Sequence, residues 1–409
     1  MARTSYDDWN FMGEVHEDVR VRNAHSAKTR QINNQRNSFI FLCIVILLTL
    51  MGLVCVYSAS FGEAVSRNLP HYYYLLRQGI YVAIGIGLMV LVNVIPEIAL
   101  KVLSPIIFFV CIILLAVDTI WTKDLFINSD TIGLLFLSGV MYMSLYFSGR
   151  GNRIERATQL IPPVLGCIII LALILLRRNF SYALMYLALS VTMFAAGGVG
   201  LFGVILLLLY VAVPVACIIL SKSERIIAVA QFLLPGLGAN PRADVIQASK
   251  SAIARGSWFG KGLGGGVFKN GAIGDLAGKN ILACICEELG FWGIVLIVLF
   301  IAFYAFVGYM AAKNIRRQNG FYSDLAIGIS TMVVWQFILN ICWVLGFLNA
   351  DGLPLPFFSY GLGVIPILLE SGILYRITRM KIDADESDKV MASITDELMF
   401  PEKYDFENR

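Results

Sequence analysis

Long apolar segments dominate this chain and limit what it can fold into. Ten segments rich in Leu, Ile, Val and Phe lie at residues 39–57, 78–96, 103–120, 131–147, 160–176, 180–198, 199–220, 281–307, 325–346 and 358–376. A helix that crosses a bilayer needs about 20 predominantly apolar residues, with a range of about 17 to 25. The sequence therefore predicts an all-α integral membrane protein with ten transmembrane helices.

The composition excludes soluble classes of protein. Of the 409 residues, 58% are hydrophobic and 15% are charged, whereas soluble domains carry about 25% charged residues. A net charge of +4 gives no global signal for nucleic acid, and three histidines leave little room for a histidine-based metal site. The eight cysteines lie in apolar surroundings and are interpreted as small buried hydrophobes. We predict no metal site and no cofactor; a divalent cation is compatible with the sequence but not indicated by it.

Basic residues in the short connections predict the orientation. Cytoplasmic loops of membrane proteins carry an excess of Lys and Arg, and placing both termini in the cytoplasm puts most of these residues inside: Lys101, Arg150, Arg153, Arg156, Lys313, Arg316 and Arg317. The pair Arg177 and Arg178 is the exception. The predicted domains are a cytoplasmic tail at 1–37, a membrane domain at 38–380 and a second cytoplasmic tail at 381–409.

One connection, residues 221–280 between the seventh and eighth predicted spans, is long and falls outside the cytoplasm in this topology. Loops of this length are usually functional. It carries eight basic and three acidic residues and a glycine-rich run, GKGLGGG, at 260–266. A surface for anionic lipid head groups and a cradle for a phosphate-bearing substrate both fit this composition. The candidate substrate-binding residues in the loop are Arg225, Gln247, Lys250, Arg255 and Lys261.

Four stretches in the chain have the order and spacing of a known family. They are GLVCVYSAS at 52–60, LLRQGIYVAIGIGLM at 75–89, IQASKSAIARGSWFGKGLGGG at 246–266 followed by EELGFWG at 287–293, and GLPLPFFSYG at 352–361, which Gln336 and Asn340 precede. Together they resemble the SEDS family (shape, elongation, division and sporulation), which includes the bacterial proteins RodA, FtsW and SpoVE. The resemblance covers about residues 38–380.

The resemblance implies a ten-helix protein of the bacterial cytoplasmic (inner) membrane. Members of the family polymerise a lipid-linked disaccharide-pentapeptide into glycan strands on the outer face of the membrane. They usually act with a penicillin-binding protein that crosslinks the product, and the family was also once proposed to flip the precursor. The expected partners are therefore an anionic lipid-linked precursor, a crosslinking protein of that kind and the membrane, with no nucleic acid.

Polar groups at membrane depth supply further candidates. The prolines of GLPLPFFSYG expose backbone carbonyls, which membrane proteins tolerate only where the backbone is buried in protein or lines a cavity; Ser359 and Tyr360 add hydroxyls there. Glu287 and Glu288 lie inside a predicted span, where acids are costly and usually functional or paired. We expect at least one of them to pair, and a structural role fits as well as a catalytic one. Glu370 is a similar acid without support from the resemblance.

The chain departs from the family pattern at its acidic positions. Family members that polymerise glycan have an aspartate eight residues before the first glutamate of EELG, and here that position holds Lys279. Asp275, one helical turn earlier, is a candidate replacement. Asp130, in INSDTIG, stands for a family glutamate, and Asn179 replaces the acid of a PDLG-like motif.

The missing acidic residues rank the three functional hypotheses. A glycosyl transfer needs a base to accept the proton of the attacking hydroxyl, and the missing acids favour a SEDS-type protein of peptidoglycan synthesis that handles the precursor but is catalytically impaired or repurposed. One alternative is an active peptidoglycan glycosyltransferase that uses Asp275 or Asp130. Another is a transporter or flippase for the lipid-linked precursor. The sequence does not distinguish elongation, division and sporulation.

Overall fold

A computed structural model of the chain describes residues 36–122, 132–148, 160–177, 179–198, 243–267, 277–348 and 352–380. The described part is helical, and its helices are α1 Arg36–Ser66, α2 Tyr73–Val94, α3 Glu97–Val117, α4 Ile132–Ser148, α5 Ile161–Leu176, α6 Phe180–Ala196, α7 Ala243–Gly256, α8 Ile281–Ile315, α9 Gly320–Val344 and α10 Val364–Thr378. A π-helical turn, Asp118–Thr122, follows α3.

The prediction of an all-α membrane protein is confirmed. Five of the described helices, α1, α2, α3, α8 and α9, are long and apolar enough to cross a membrane, and α4, α5 and α6 are shorter apolar helices. The predicted span at 199–220 lies outside the described residues. The predicted start of the last span at residue 358 is wrong, because residues 358–363 belong to a loop and α10 begins at Val364.

Two helices continue beyond their apolar spans. α1 ends at Ser66 rather than near residue 57, and α8 ends at Ile315 rather than near residue 307. Both extensions carry polar side chains, such as Glu63 and Lys313, that a helix accepts as readily as apolar ones. Hydropathy therefore located these spans but not the full length of their helices.

The helices differ in how much of their surface the protein covers. In the most apolar part of α9, 67% of the residues are buried, against 22% in α3. α9 packs against α4, α6 and α8 and forms the centre of the bundle. Large apolar side chains on α1, α2 and α3 are exposed, as expected of a face in contact with lipid: Leu50, Leu76, Val90, Ile98 and Ile113.

Glycines allow close approach between helices. A Cβ atom at Gly85 of α2 would lie 2.6 Å from the side chain of Leu368 in α10, and one at Gly372 of α10 would lie 2.8 Å from the backbone of Met89. A Cβ atom at Gly308 of α8 would overlap the hydroxyl of Ser330 in α9. Small residues at such crossings are what helix packing within a membrane requires.

The described chain ends form a compact unit of their own, separate from the unit Ile40–Ile377. Within it, the buried Ser38 hydroxyl donates a hydrogen bond to the carbonyl oxygen of Thr378 at 2.9 Å. Most of both predicted tails, residues 1–35 and 381–409, lies outside the described residues.

Helix α7 lies within the long connection and was not predicted. Its sequence, ADVIQASKSAIARG, places Val245, Ser249, Ala252 and Gly256 three or four residues apart, on one face. Ser249, Ala252 and Gly256 are buried, and the helix packs against α8. The periodic signal was present in the sequence but weak, because small residues rather than large apolar ones form the buried face.

Candidate functional site

The four stretches that carry the family resemblance meet at one end of the helix bundle. That end comprises the second half of α1, the beginning of α2, α7 with the loop after it, the beginning of α8, and the loop 352–363 between α9 and α10, called here the proline loop. Each stretch supplies a side chain or a glycine that another stretch contacts. The candidate site is built from these contacts.

Side-chain amides from two helices hold the proline loop. Gln336 of α9 donates a hydrogen bond to the carbonyl oxygen of Pro354 at 2.9 Å, and Asn340 donates to that of Leu353 at 2.5 Å. Gln78 of α2 donates to the carbonyl oxygen of Ser359 at 3.3 Å and accepts from the backbone N–H of Gly361 at 3.0 Å. Because the loop has no regular structure, its carbonyls need partners of this kind when buried.

The proline loop also holds the turn 277–280 that precedes α8. The Ser359 hydroxyl donates to the carbonyl oxygen of Gly278 at 2.7 Å and accepts from the backbone N–H of Leu355 at 2.6 Å. The backbone N–H of Tyr360 donates to the carbonyl oxygen of Ala277 at 2.7 Å, and the carbonyl oxygen of Lys279 accepts from the Asn340 amide at 3.3 Å. The predicted site residue Lys279 is thus fixed through its backbone beside Ser359, whose hydroxyl supports the local structure.

Two further contacts fix the loop against the first helices. Phe357 has a positive φ of 68°, and its carbonyl oxygen lies against Gly52 of α1, where a Cβ atom would overlap it. The ring of Tyr360 packs edge-to-face on Tyr74 at the start of α2, with centroids 5.2 Å apart. Tyr360 is half-buried, so part of its ring borders the open side of the site.

Helix α8 is broken at Gly290, and the segment after α7 packs into the break. Gly290 has φ 68° and ψ −163°, a conformation that is essentially restricted to glycine. The backbone N–H of Lys261 donates to the carbonyl oxygen of Glu287 at 3.0 Å, and that of Gly262 to Glu288 at 2.9 Å. A Cβ atom at Gly290 would overlap the backbone of Gly260. The glycines therefore let two backbones touch, and the break supplies hydrogen-bond acceptors for the loop.

The two acids at this break are buried and paired. Glu287 is fully buried, and its Oε1 lies 2.9 Å from Nε of Arg255 and 3.9 Å from Nζ of Lys261. Glu288 accepts hydrogen bonds from the hydroxyl of Ser58 in α1, at 2.7 Å on Oε1 and 2.6 Å on Oε2. The pairing expected of intramembrane acids is present in both. These contacts connect α1, α7 and α8 and use the acids to stabilise the fold.

Two adjoining cavities lie beneath the proline loop. One, of about 270 Å³, is bordered by the loop from Pro354 to Gly363 and includes Ser359 and Tyr360. The other, of about 320 Å³, extends between α4, α6, α9 and α10 to Glu370. They share the residues Gln336, Pro354, Gly363 and Ile367. Both volumes include the open mouth.

The remaining predicted residues are on α7 or outside the described residues. Gln247 and Lys250 are exposed on α7, and Lys250 Nζ lies beside Gly346 just beyond the end of α9. A cation there also stabilises the C-terminal end of the α9 dipole. Arg225, Asp130 and Asp275 are not among the described residues, so their roles stay predictions. Within the described ranges, no three His, Cys, Asp or Glu side chains form a group that could hold a metal ion.

Ser58 and Gln78 lie in two of the four family stretches, and the sequence did not predict a role for either of them. Both are polar residues in otherwise apolar segments, and that is the signal that could have identified them. A polar side chain at membrane depth needs a partner, and here the partners are Glu288 and the proline loop.

Sequence comparison decides the family. The family model of the cell cycle proteins FtsW, RodA and SpoVE matches residues 38–129 and 132–382. The chain belongs to this family. FtsW, RodA and SpoVE are the proteins that the four stretches resemble, and the match covers all four. With its apolar helices, this member of the family is a multi-pass protein of the bacterial inner membrane.

Relatives with assigned names support the same family. A protein named "Probable peptidoglycan glycosyltransferase FtsW" from Geobacter sp. (strain M18) is 29% identical over 366 residues, which cover 84% of this chain and 97% of that protein. A protein of the same name from Bacillus subtilis (strain 168) is 29% identical over 358 residues, 82% of this chain and 88% of the relative.

Solved structures share the fold. RodA from Thermus thermophilus, a rod shape determining protein, has a TM-score of 0.60 at 18% identity, over 84% of this chain and 97% of that one. A chain from a peptidoglycan synthase complex, in a study of how polymerization and crosslinking are coordinated, has a TM-score of 0.66 at 21% identity, over 84% of this chain and 98% of that one.

Proposed function

We propose that this chain acts in bacterial cell-wall synthesis by handling a lipid-linked disaccharide precursor, with a polymerase chemistry that is impaired or repurposed. The observation that carries the proposal is Lys279. It occupies the position at which the family resemblance places an aspartate, and its turn is built into the site by three hydrogen bonds from the proline loop and Asn340. A lysine there cannot replace a carboxylate as an anionic base.

The other described acids of the site support the same proposal. Glu287 lies against Arg255 and Lys261, and the Ser58 hydroxyl donates its one proton to the Glu288 carboxylate. Both carboxylates are thus engaged in contacts that join α8 to α1, α7 and the loop after α7. Precursor binding needs no general base, and the basic side chains of α7 and of the loop after it suit a phosphate-bearing head group.

An active peptidoglycan glycosyltransferase is the second candidate, and the FtsW relatives favour it, since their names assign that activity over most of this chain's length. In that case Asp275 or Asp130 supplies the base. We propose further that the site faces the outside of the cytoplasmic membrane, with both termini inside, and that a penicillin-binding-protein-like partner crosslinks the product. The likeness to a chain of a peptidoglycan synthase complex supports this partner.

A strand-formation assay separates the two candidates. The purified chain is incubated with a labelled lipid-linked disaccharide precursor, and glycan strands are resolved on a gel. We expect the wild type to bind the precursor and form few or no strands, and Lys279→Asp to form more, with Lys279→Asn as the control that removes the charge without adding a carboxylate. Strands made by the wild type and abolished by Asp275→Ala or Asp130→Ala contradict the proposal and establish the polymerase.

A further inference from the structure

Glu370 is an acid that the site described above does not use. It lies in the first half of α10, is fully buried, and borders the 320 Å³ cavity. Among the residues that the structure describes, none hydrogen-bonds to either of its carboxylate oxygens, which are both buried. Glu370 therefore differs from Glu287 and Glu288, whose carboxylates have partners among the described residues.

The carboxylate belongs to one wall of this cavity. Pro366, Ile367 and Glu370 line it from one face of α10, and Gly363 lines it just before the helix begins. The opposite walls are mainly apolar: Ile132, Gly133, Phe136, Met185 and Met332. Gln336 and Tyr182 complete the polar lining. The amide nitrogen of Gln336 donates to Pro354, so the group that Gln336 offers a ligand is its amide oxygen.

The lining also has a charge imbalance. Among the described residues that line the cavity, one carries a carboxyl group and none is Lys, Arg or His. An ionised carboxylate in an apolar interior is strongly unfavourable unless an opposite charge is close. One positive charge balances one carboxylate, whereas a divalent ion would leave an excess charge between apolar walls. Oxygen atoms from a carboxylate and an amide are suitable ligands for a hard cation or a protonated amine.

We propose that this cavity binds a monovalent cation, with Glu370 as its charged ligand and the Gln336 amide oxygen as a neutral one. The ligand is a small cation with one positive charge, either an alkali-metal ion or a small organic ammonium group. Glu370 took no part in the resemblance or in the contacts that hold the proline loop, whereas Gln336 also donates to the carbonyl oxygen of Pro354 in that loop.

Thermal unfolding of the purified full-length chain in detergent tests the proposal. At constant ionic strength and pH, N-methyl-D-glucamine chloride is replaced stepwise by sodium, potassium or methylammonium chloride. A ligand that binds only the folded state raises Tm with its concentration, so we expect the wild-type Tm to rise with at least one of the three. Sodium or potassium identifies an alkali ion as the ligand, and methylammonium alone identifies an organic ammonium.

Two Glu→Gln variants give the matched comparison. Glu370→Gln removes the charge with little change in volume, and we expect it to lose the cation-dependent shift. Glu63→Gln changes an acid whose partner is Arg67, at 2.8 Å on α1, and we expect it to keep the shift. The proposal is overturned if the wild-type Tm is the same in all four salts, if it responds to pH but to no cation, or if Glu370→Gln retains the shift.

A direct measurement covers the case in which Glu370→Gln does not fold. Equilibrium binding of radioactive sodium to the wild-type chain, with unlabelled potassium or methylammonium as competitor, needs no variant. Saturable binding of about one ion per chain supports the site. If sodium does not bind, potassium and methylammonium are labelled in turn, and the absence of saturable binding of all three overturns the proposal. Neither experiment depends on glycan synthesis, so its failure leaves the proposed function intact.

Discussion

Glu287 and Glu288 are neighbours in sequence, but different parts of the fold stabilise them. Glu287 faces the cations of α7 and the loop that follows it, whereas Glu288 faces the hydroxyl of Ser58 on α1. A buried polar group that loses its partner costs more than the hydrogen bond itself was worth. Single substitutions at these contacts therefore report on the connection between helices rather than on local structure.

Ser58→Ala tests the contact between α1 and α8. The substitution removes the donor that lies 2.6 and 2.7 Å from the Glu288 carboxylate oxygens. We expect the free energy of unfolding in detergent to fall by about 1 to 3 kcal/mol, the usual cost of leaving a buried group without a partner. Ser66→Ala, whose hydroxyl donates only to the carbonyl oxygen of Glu63 in the same exposed turn, is the control and should change little. Equal losses in the two variants would show that the Ser58 contact is not stabilising.

At the scale of elements, the break at Gly290 divides α8 into a short segment at the candidate site and a long segment that continues away from it. Before Gly290, the helix presents Glu287 and Glu288 to the site, and after it the helix continues for 25 residues to Ile315. The break exposes the carbonyls of residues 287 and 288, and the loop after α7 supplies the N–H groups that satisfy them. α7, its loop and the break therefore depend on one another.

Gly290→Ala tests that dependence. The new Cβ atom would overlap the backbone of Gly260, in a conformation that residues other than glycine rarely adopt. We expect the free energy of unfolding to fall by more than about 3 kcal/mol, because backbone strain of about 1 to 3 kcal/mol adds to the cost of the overlap. The control is Gly262→Ala. Gly262 also has a positive φ, but the space around an added Cβ atom is open, so the free energy of unfolding should fall by only about 1 to 2 kcal/mol. Limited proteolysis should cut near residue 260 only in Gly290→Ala; similar stability and cleavage in both variants would contradict the structure of the break.

For the whole molecule, the arrangement predicts that α7 and the end of α8 lie on opposite sides of the membrane. Gly256 touches the backbone of Cys286 near the start of α8. About 25 residues of helix separate Gly290 from Ile315, a length of about 38 Å. The basic residues Arg316 and Arg317 follow that helix, as expected on the cytoplasmic side.

Cysteine labelling in intact cells measures this orientation. A membrane-impermeant maleimide should label Gln247→Cys before the membrane is permeabilised and Arg317→Cys only afterwards. The wild-type chain, which has native cysteines, gives the background. Labelling of Arg317→Cys in intact cells, with Gln247→Cys protected, would reverse the topology.

The parts of this molecule that the sequence predicted are those that depend on local composition. Apolar segments located most of the described helices, and the quoted stretches located the site. The partners could not be predicted, because Ser58 with Glu288 and Gln78 with Ser359 are more than 200 residues apart in the chain. The orphaned carboxylate of Glu370 was likewise visible only once packing placed it beside a cavity. α7 was missed because its buried face is built from small residues.

The proline loop has a consequence for how the protein is made. The loop is translated near the end of the chain, yet Gly52, Gln78, Gln336 and Asn340 hold its shape, and it in turn holds the turn before α8. The early helices therefore enter the membrane with a gap where the loop will pack. A chain that stops before residue 361 lacks the Gly361 N–H that Gln78 accepts from, and it lacks α10, so the site assembles only after these residues are made.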